Sequence, residues 1–139
     1  MSSKSSSPAS SKYGDTTFKL MEVRHGVKEM CFSELEDYAI FVTTDEIQIV
    51  DLVYCEIVQK IKRSSYPRSA KISKCGTFFL ASFTDNSVSL FDTKTGSELT
   101  KVIGVPTSCS NFLIYDNGRR ILYGNNQTVC LWSISTASI

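Results

Sequence analysis

An internal repeat of 41 residues constrains the fold of this chain more than any other feature of its sequence. The tetrapeptides at 49–52 (IVDL), 90–93 (LFDT) and 131–134 (LWSI) follow one another at this interval. Within each copy, short runs of strand-forming residues alternate with turn residues, and no segment has the spacing of an amphipathic helix. A period near 40 residues with four short strands per copy is typical of an all-β architecture of antiparallel, four-stranded propeller blades.

The repeat divides residues 17–139 into three units at about 27–63, 68–104 and 107–139, preceded by a Ser- and Lys-rich arm at 1–16 that we expect to be disordered. Residues 17–23 alternate as a lone strand, which would fill the outer position that the last unit lacks. That strand brings the expected count to 12. The other predicted strands are 29–33, 38–44, 47–52, 56–62, 70–73, 78–83, 87–92, 98–103, 108–114, 121–125 and 128–134.

These units resemble WD repeats, a family in which a Trp-Asp pair closes the third strand of each blade. The pair is represented here by Val50-Asp51, Phe91-Asp92 and Trp132-Ser133, and residues 82–92 are most similar to the strand–turn–strand signature. The Gly-His pair that usually precedes the first strand is absent from all three units. The resemblance implies about three blades, the last without its outer strand. It also implies a non-catalytic protein–protein interaction scaffold, with Val50, Phe91 and Trp132 packed between blades.

The same resemblance indicates where a partner would bind. In a propeller, the loops between blades and those between second and third strands emerge on one shared face, which is the family's usual binding face. The candidate residues there are Arg24, His25, Asp45, Glu46, Tyr66, Arg68, Asp85, Asn86, Asn126 and Gln127. They imply a protein partner, whose identity the sequence does not give.

Charge and hydropathy argue against two other classes of partner. With 15 basic and 14 acidic residues the net charge is +1, so nucleic-acid binding is not expected. No apolar run reaches 18 residues, and therefore no transmembrane helix is expected. An alternative function, RNA or phosphopeptide binding, rests on a basic segment that we interpret first as a protected edge strand. The segment contains Lys60, Lys62, Arg63, Tyr66, Arg68 and Lys71.

The residues that carry enzyme and metal chemistry are sparse. His25 is the one histidine, and no spacing places a nucleophile beside it, so we predict no catalytic residue and no enzymatic activity. The five cysteines are odd in number and form no C-x-x-C motif. We interpret them as reduced thiols in a cytoplasmic or nuclear protein, with the cytoplasm favoured. No metal site and no cofactor are predicted.

Three blades cannot surround a central channel, which normally takes 4–8. We therefore expect open apolar blade faces and association with other blades, including a homodimer of six blades. In that dimer the strand at 17–23 would pair with 128–134 of the second copy. The alternative is that this sequence is a partial fragment or short isoform of a larger WD-repeat protein, with little activity alone.

Overall fold

The computed structural model describes residues 17, 19, 22, 26–103, 112–116, 119–125 and 128–133, and these are built from β-strands. Eleven strands and no helix occur in these ranges. In chain order they are β1 Val27–Phe32, β2 Tyr38–Thr43, β3 Glu46–Asp51, β4 Glu56–Lys62, β5 Pro67–Ile72, β6 Phe78–Phe83, β7 Ser87–Asp92, β8 Glu98–Ile103, β9 Phe112–Tyr115, β10 Arg120–Asn125 and β11 Thr128–Ser133.

The strands form three antiparallel sheets in which neighbours in the sheet are also neighbours in the chain. Sheet 1 has the order β1-β2-β3-β4, sheet 2 the order β5-β6-β7-β8, and sheet 3 the order β9-β10-β11. The prediction of an all-β fold with two four-stranded units and a shorter third is thus confirmed for the described residues. The bounds of β4, β6, β7 and β8 are those that the sequence pattern predicted.

Several predicted boundaries differ from the structure by one residue, and the starts of β1 and β5 differ by more. β1 begins at Val27 and β5 at Pro67, in each case before the predicted strand. Pro67 lies before the predicted strand at 70–73, but a proline is tolerated as the first residue of a strand, where its missing N–H is not needed. β9 is described over Phe112–Tyr115, and the first part of its predicted range lies outside the described residues. So do the arm at 1–16 and the strand at 17–23, apart from Thr17, Lys19 and Glu22, which belong to no strand.

Sheets 1 and 2 repeat the same backbone irregularities. One extra residue interrupts the pairing of the first two strands, Lys28 in sheet 1 and Arg68 in sheet 2. Another interrupts the pairing of the last two strands, Val58 in sheet 1 and Leu99 in sheet 2. A β-bulge bends and twists its strand locally. Because the bulges recur about one repeat apart, the two sheets are copies of one structural unit in their backbone as well as in their sequence.

Sheet 2 lies between the other two sheets, and both of its faces are buried. Phe79 and Phe91 lie on the face toward sheet 1, where their rings stack with centroids 4.9 Å apart. Leu80 and Leu90 lie on the opposite face, in a second cluster with residues of sheet 3. The partners are Ile40, Val42, Ile47 and Ile49 in sheet 1, and Phe112, Ile121, Tyr123 and Trp132 in sheet 3.

The repeat position expected to pack between blades does so in two sheets. Phe91 is buried against sheet 1, and Trp132 packs partly buried against sheet 2. Val50, the equivalent residue of sheet 1, is also buried, on the face that points away from sheet 2. The prediction is therefore confirmed for Phe91 and Trp132, whose side chains join consecutive sheets.

Candidate functional site

The loop end that the sequence predicted as a binding face gathers three connecting segments. Tyr66 precedes β5, and its backbone bonds to Thr84 in the β6–β7 turn: the Thr84 N–H donates to the Tyr66 carbonyl at 2.8 Å. Asp45 lies in the β2–β3 turn of sheet 1 and Glu46 is the first residue of β3. Arg68 is the exposed bulge residue of β5. Arg24, His25, Asn126 and Gln127 lie outside the described residues.

Asp85 and Asn86 at this end shape a turn. The Asp85 carboxylate accepts hydrogen bonds from the Ser87 hydroxyl at 2.6 Å and from the Ser87 N–H at 3.1 Å. The hydroxyl bond is the main cause that holds the pKa of Asp85 below its ordinary value. Asn86 has φ 63°, a left-handed conformation that asparagine tolerates in turns. The Asp85 carboxylate is therefore already engaged within its own loop.

The structure divides the basic segment instead of presenting it as one patch. The Arg63 guanidinium lies 3.2 Å from Glu98 Oε2 and 4.4 Å from the centroid of the Phe83 ring, on the core between sheets 1 and 2. Lys71 Nζ donates to the Phe112 carbonyl of sheet 3 at 2.6 Å. Lys60 and Lys62 are exposed on β4, which is an edge strand of sheet 1. Two of the basic groups thus join sheets, and two lie on an edge that charge protects against mispairing.

A cleft of about 460 Å³ lies at the opposite end of the sheets, between turns of sheets 1 and 2. Gly76 allows this approach: it has φ +81°, and a Cβ there would lie 2.8 Å from Asp37 Oδ1. Burial, followed by the charges of Asp51, Asp37 and Asp92, raises the pKa of Tyr38. The lining residues are Asp37, Tyr38, Cys75, Gly76, Thr77, Asp92, Lys94 and Thr95. Sequence reasoning missed this cleft, although Asp37 and Gly76 each mark a predicted turn.

Cys75 lines the same cleft and has a perturbed thiol. Burial by itself raises the pKa of Cys75, but hydrogen bonds with Thr77 and Ser73 outweigh it, and the pKa lies below its ordinary value. Cys75 Sγ is 3.1 Å from Thr77 Oγ1 and 3.8 Å from Ser73 Oγ. A lowered pKa raises the fraction of thiolate, the reactive form of cysteine.

The face of sheet 3 that points away from sheet 2 is apolar and open. Cross-strand pairing aligns Leu113, Leu122 and Leu131 in one row, while their chain neighbours Phe112, Ile121 and Trp132 face sheet 2. Leu113 is 60% exposed, Leu131 54% and the adjacent Val129 78%. Successive side chains of a strand point to opposite faces, so these residues share one surface. We call this surface, formed by Leu113, Leu122, Val129 and Leu131, the tail face of sheet 3.

The equivalent face is buried in both other sheets. In sheet 1 the row that pairs Ile40 with Ile49 packs on sheet 2, and in sheet 2 the row that pairs Leu80 with Leu90 packs on sheet 3. These four side chains are almost completely inaccessible to solvent. The repeat therefore places apolar residues on this face to be covered, and the tail face of sheet 3 is its uncovered copy.

Sheet 1 has an exposed apolar surface at the other end of the stack. Met30 is 66% exposed and Phe32 61%, and Val27 on the same face is also exposed. The side chains of Ala39 and Val50, on the same face in β2 and β3, are buried. The positions equivalent to Met30 and Phe32 are covered in the other sheets, where they are Ala70, Ile72, Phe112 and Ile114. We call the surface formed by Val27, Met30 and Phe32 the head face of sheet 1.

Sheet 3 also differs from the other sheets at its edges. The edge strands β9 (FLIY) and β11 (TVCLWS) contain no charged residue and no proline. The edge strands of sheets 1 and 2 carry such residues, among them Lys28 and Glu29 in β1, Pro67 in β5 and Lys101 in β8. Charge and proline on an edge strand disfavour pairing with another chain. The edges of sheet 3 therefore lack a protection that the other two sheets have.

Comparisons of this chain with protein-family models and with curated proteins each found no match. Among the described residues, no three His, Cys, Asp or Glu side chains come together as metal ligands. That part of the chain also contains no helix of the length and hydropathy needed to cross a membrane. What the structure defines is an all-β chain of stacked antiparallel sheets with an open apolar surface at each end of the stack.

Proposed function

We propose that this chain is a non-catalytic protein-interaction scaffold of the WD-repeat type, and that it binds a partner protein through the tail face of sheet 3. The observation that carries the proposal is the exposure of Val129 and Leu131, whose repeat counterparts in sheets 1 and 2 are buried; these counterparts are Ile47, Ile49, Val88 and Leu90. Contiguous exposed apolar surface is typical of protein-binding sites. The loop residues Asp45, Tyr66 and Arg68 remain a proposed second contact surface at one end of the sheets.

The polar groups next to the tail face support a protein partner over a nucleic acid. The four residues of the tail face are uncharged, and Arg120, which shares this face of β10, pairs with Asp116, with Nε and Oδ2 3.7 Å apart. Nucleic-acid binding depends on a concentrated basic surface. Burial of leucine and valine side chains instead contributes about 25 cal/mol for each Å² of apolar surface removed from water.

The test is affinity capture with the purified chain and a Leu131→Glu variant, followed by mass spectrometry. We expect the partners of the unaltered chain to be lost with the variant, because a buried unpaired carboxylate strongly disfavours association. Val53→Glu is the matched control, since Val53 is an exposed apolar residue in the β3–β4 turn, away from this face. Identical partners for the unaltered chain and for Leu131→Glu would refute the proposal.

A further inference from the structure

We infer that the partner of the tail face is the head face of a second copy of this chain. The inference rests on the proposed function and names its partner. It starts from an arrangement that the molecule contains twice. The face of sheet 1 that is equivalent to the tail face packs on sheet 2, and the equivalent face of sheet 2 packs on sheet 3. The open tail face corresponds to one half of this interface, and the exposed β1 residues of the head face correspond to part of the other half, whose positions Ala39 and Val50 are already buried within one copy.

The head face of sheet 1 has the chemistry that this interface requires. In each internal interface the first strand of the following sheet contributes apolar residues, Ala70 and Ile72 in one and Phe112 and Ile114 in the other. Met30 and Phe32 occupy the equivalent positions of β1 and are exposed. A leucine-rich tail face would therefore meet a methionine and a phenylalanine. Arg120 of sheet 3 and Lys60 of sheet 1 share these faces by register, and both are exposed.

The charged side chains of β1 do not compete for this contact, because they bond within the same copy. Lys28 Nζ donates to the Pro67 carbonyl at 2.7 Å, and Glu29 Oε1 accepts from the Ala70 N–H at 3.0 Å. Both bonds join sheet 1 to sheet 2. Val27, Met30 and Phe32 of β1 are directed away from sheet 2 and are exposed.

Head-to-tail contacts between copies close into a ring or grow into a filament, depending on the rotation between successive units. Two copies of this chain supply six sheets, which lies within the 4–8 that close a propeller ring. A closed pair would contain two identical head-to-tail interfaces and leave neither surface open. We therefore expect the dimer to be the stable species, without larger head-to-tail oligomers.

The experiment measures self-association of the full chain by sedimentation and light scattering, from micromolar to millimolar concentration. The tail variant is Leu131→Glu, the head variant is Met30→Glu, and the control is Val53→Glu. We expect the unaltered chain and the control to form dimers. Each interface variant should dimerise on the order of a hundredfold more weakly, because each would bury an unpaired carboxylate.

Mixing the two variants tests the head-to-tail arrangement itself. The tail variant retains Met30 and the head variant retains Leu131, so a mixed pair contains one intact interface. We expect an equimolar mixture to form a one-to-one complex that neither variant forms alone at that concentration. Circular dichroism checks that each variant is folded. If Met30→Glu does not fold, Phe32→Glu replaces it as the head variant.

Three results would overturn the inference: a monomer at every concentration, a dimer that both variants leave unchanged, or variants that dissociate the dimer without complementing each other. The first result leaves the proposed function intact if Leu131→Glu still abolishes capture of another protein. If Leu131→Glu changes neither self-association nor capture, the proposed function fails as well.

Discussion

Arg63 shows how one charged side chain can be part of a sheet interface. Its guanidinium lies over the Phe83 ring, bonds to Ser89 Oγ at 3.2 Å and pairs with Glu98. A cation over an aromatic face gains electrostatic attraction, and the methylene stem covers apolar surface. Arg63 follows β4 of sheet 1, whereas its partners belong to sheet 2, so the side chain links the two sheets across their shared core.

Replacing Arg63 should destabilise the fold. We expect Arg63→Ala to lower the free energy of unfolding by about 1–3 kcal/mol, through loss of the aromatic contact and exposure of the core edge. Urea denaturation measures the change. Lys62→Ala is the control, because Lys62 is the exposed neighbour, and it should have little effect. Equal stability of the two variants would show that the Arg63 contacts contribute nothing.

Phe91 is the second residue whose removal should be costly. It is buried, stacks on Phe79 and contacts Phe83 in the core between sheets 1 and 2. We expect Phe91→Ala to cost about 3–5 kcal/mol, because a buried aromatic side chain is removed and a cavity is left. Thermal unfolding measures this loss of stability, with Tyr54→Ala as the control because Tyr54 is exposed. An unchanged melting temperature with weaker partner binding would contradict the burial of Phe91.

Cys75 should react with thiol reagents at lower pH than an ordinary cysteine. Its pKa is lowered, so the thiolate is populated at a pH where an unperturbed thiol is still protonated. Thr77→Val removes a hydroxyl that bonds to the sulfur, and we expect it to shift the pH–rate profile of alkylation to higher pH. Mass spectrometry resolves Cys75 from Cys55. A profile that Thr77→Val leaves in place would show that the hydroxyl has no influence.

Among the elements, the strands with clear alternation could be predicted from sequence, and the irregular ones could not. β6 and β7 carry apolar runs bounded by turn residues, which locate both ends. The bulges at Lys28 and Arg68 interrupt the two-residue period, and for this reason β1 and β5 were predicted too short. A bulge depends on the register with the partner strand, and one strand alone does not contain that information.

The basic segment and the cleft show the same limit for the candidate site. Arg63 and Lys71 are close in sequence, and the alternative function placed them in one surface patch, but each bonds to a different sheet. The cleft unites Asp37 with Gly76, which belong to turns about one repeat apart. Contacts between sheets therefore determine both where the basic side chains lie and where the cleft forms. Such contacts depend on how the sheets pack, and local sequence patterns do not specify this packing.

At the level of the strand, the uncharged edge of β11 should promote aggregation. We expect Thr128→Lys to reduce turbidity during mild heating, because a lysine on an edge strand opposes edge-to-edge pairing. Thr128 is exposed and is not part of the tail face. Leu99→Lys on β8 is the control. Because β8 already carries Glu98 and Lys101, we expect this substitution to change the turbidity little. Equal turbidity of both variants would show that the β11 edge is not the site of aggregation.

For the whole molecule, the stacking order predicts unequal local stability. Sheet 2 is buried on both faces, while sheet 3 has three described strands and one open face. We expect amide hydrogens of β6 and β7 to exchange most slowly and those of β10 and β11 faster. Hydrogen exchange with mass spectrometry at low protein concentration measures this. Equal protection of sheets 2 and 3 would mean that the tail face is covered within one copy.

The order of strands in the sheets has a consequence for synthesis on the ribosome. Because each described strand pairs with its neighbours in the chain, the described strands of a sheet have their partners once their own repeat has been made. A 41-residue repeat takes about 2–8 s at roughly 5–20 residues per second, whereas a hairpin forms in about 1–10 μs. Sheet 1 can therefore fold before sheet 2 has been synthesised and covers its apolar face. Sheet 2 can likewise fold before sheet 3 covers it. Until a second copy covers them, the exposed leucines of sheet 3 keep open after synthesis the apolar surface that each earlier sheet exposes only during translation.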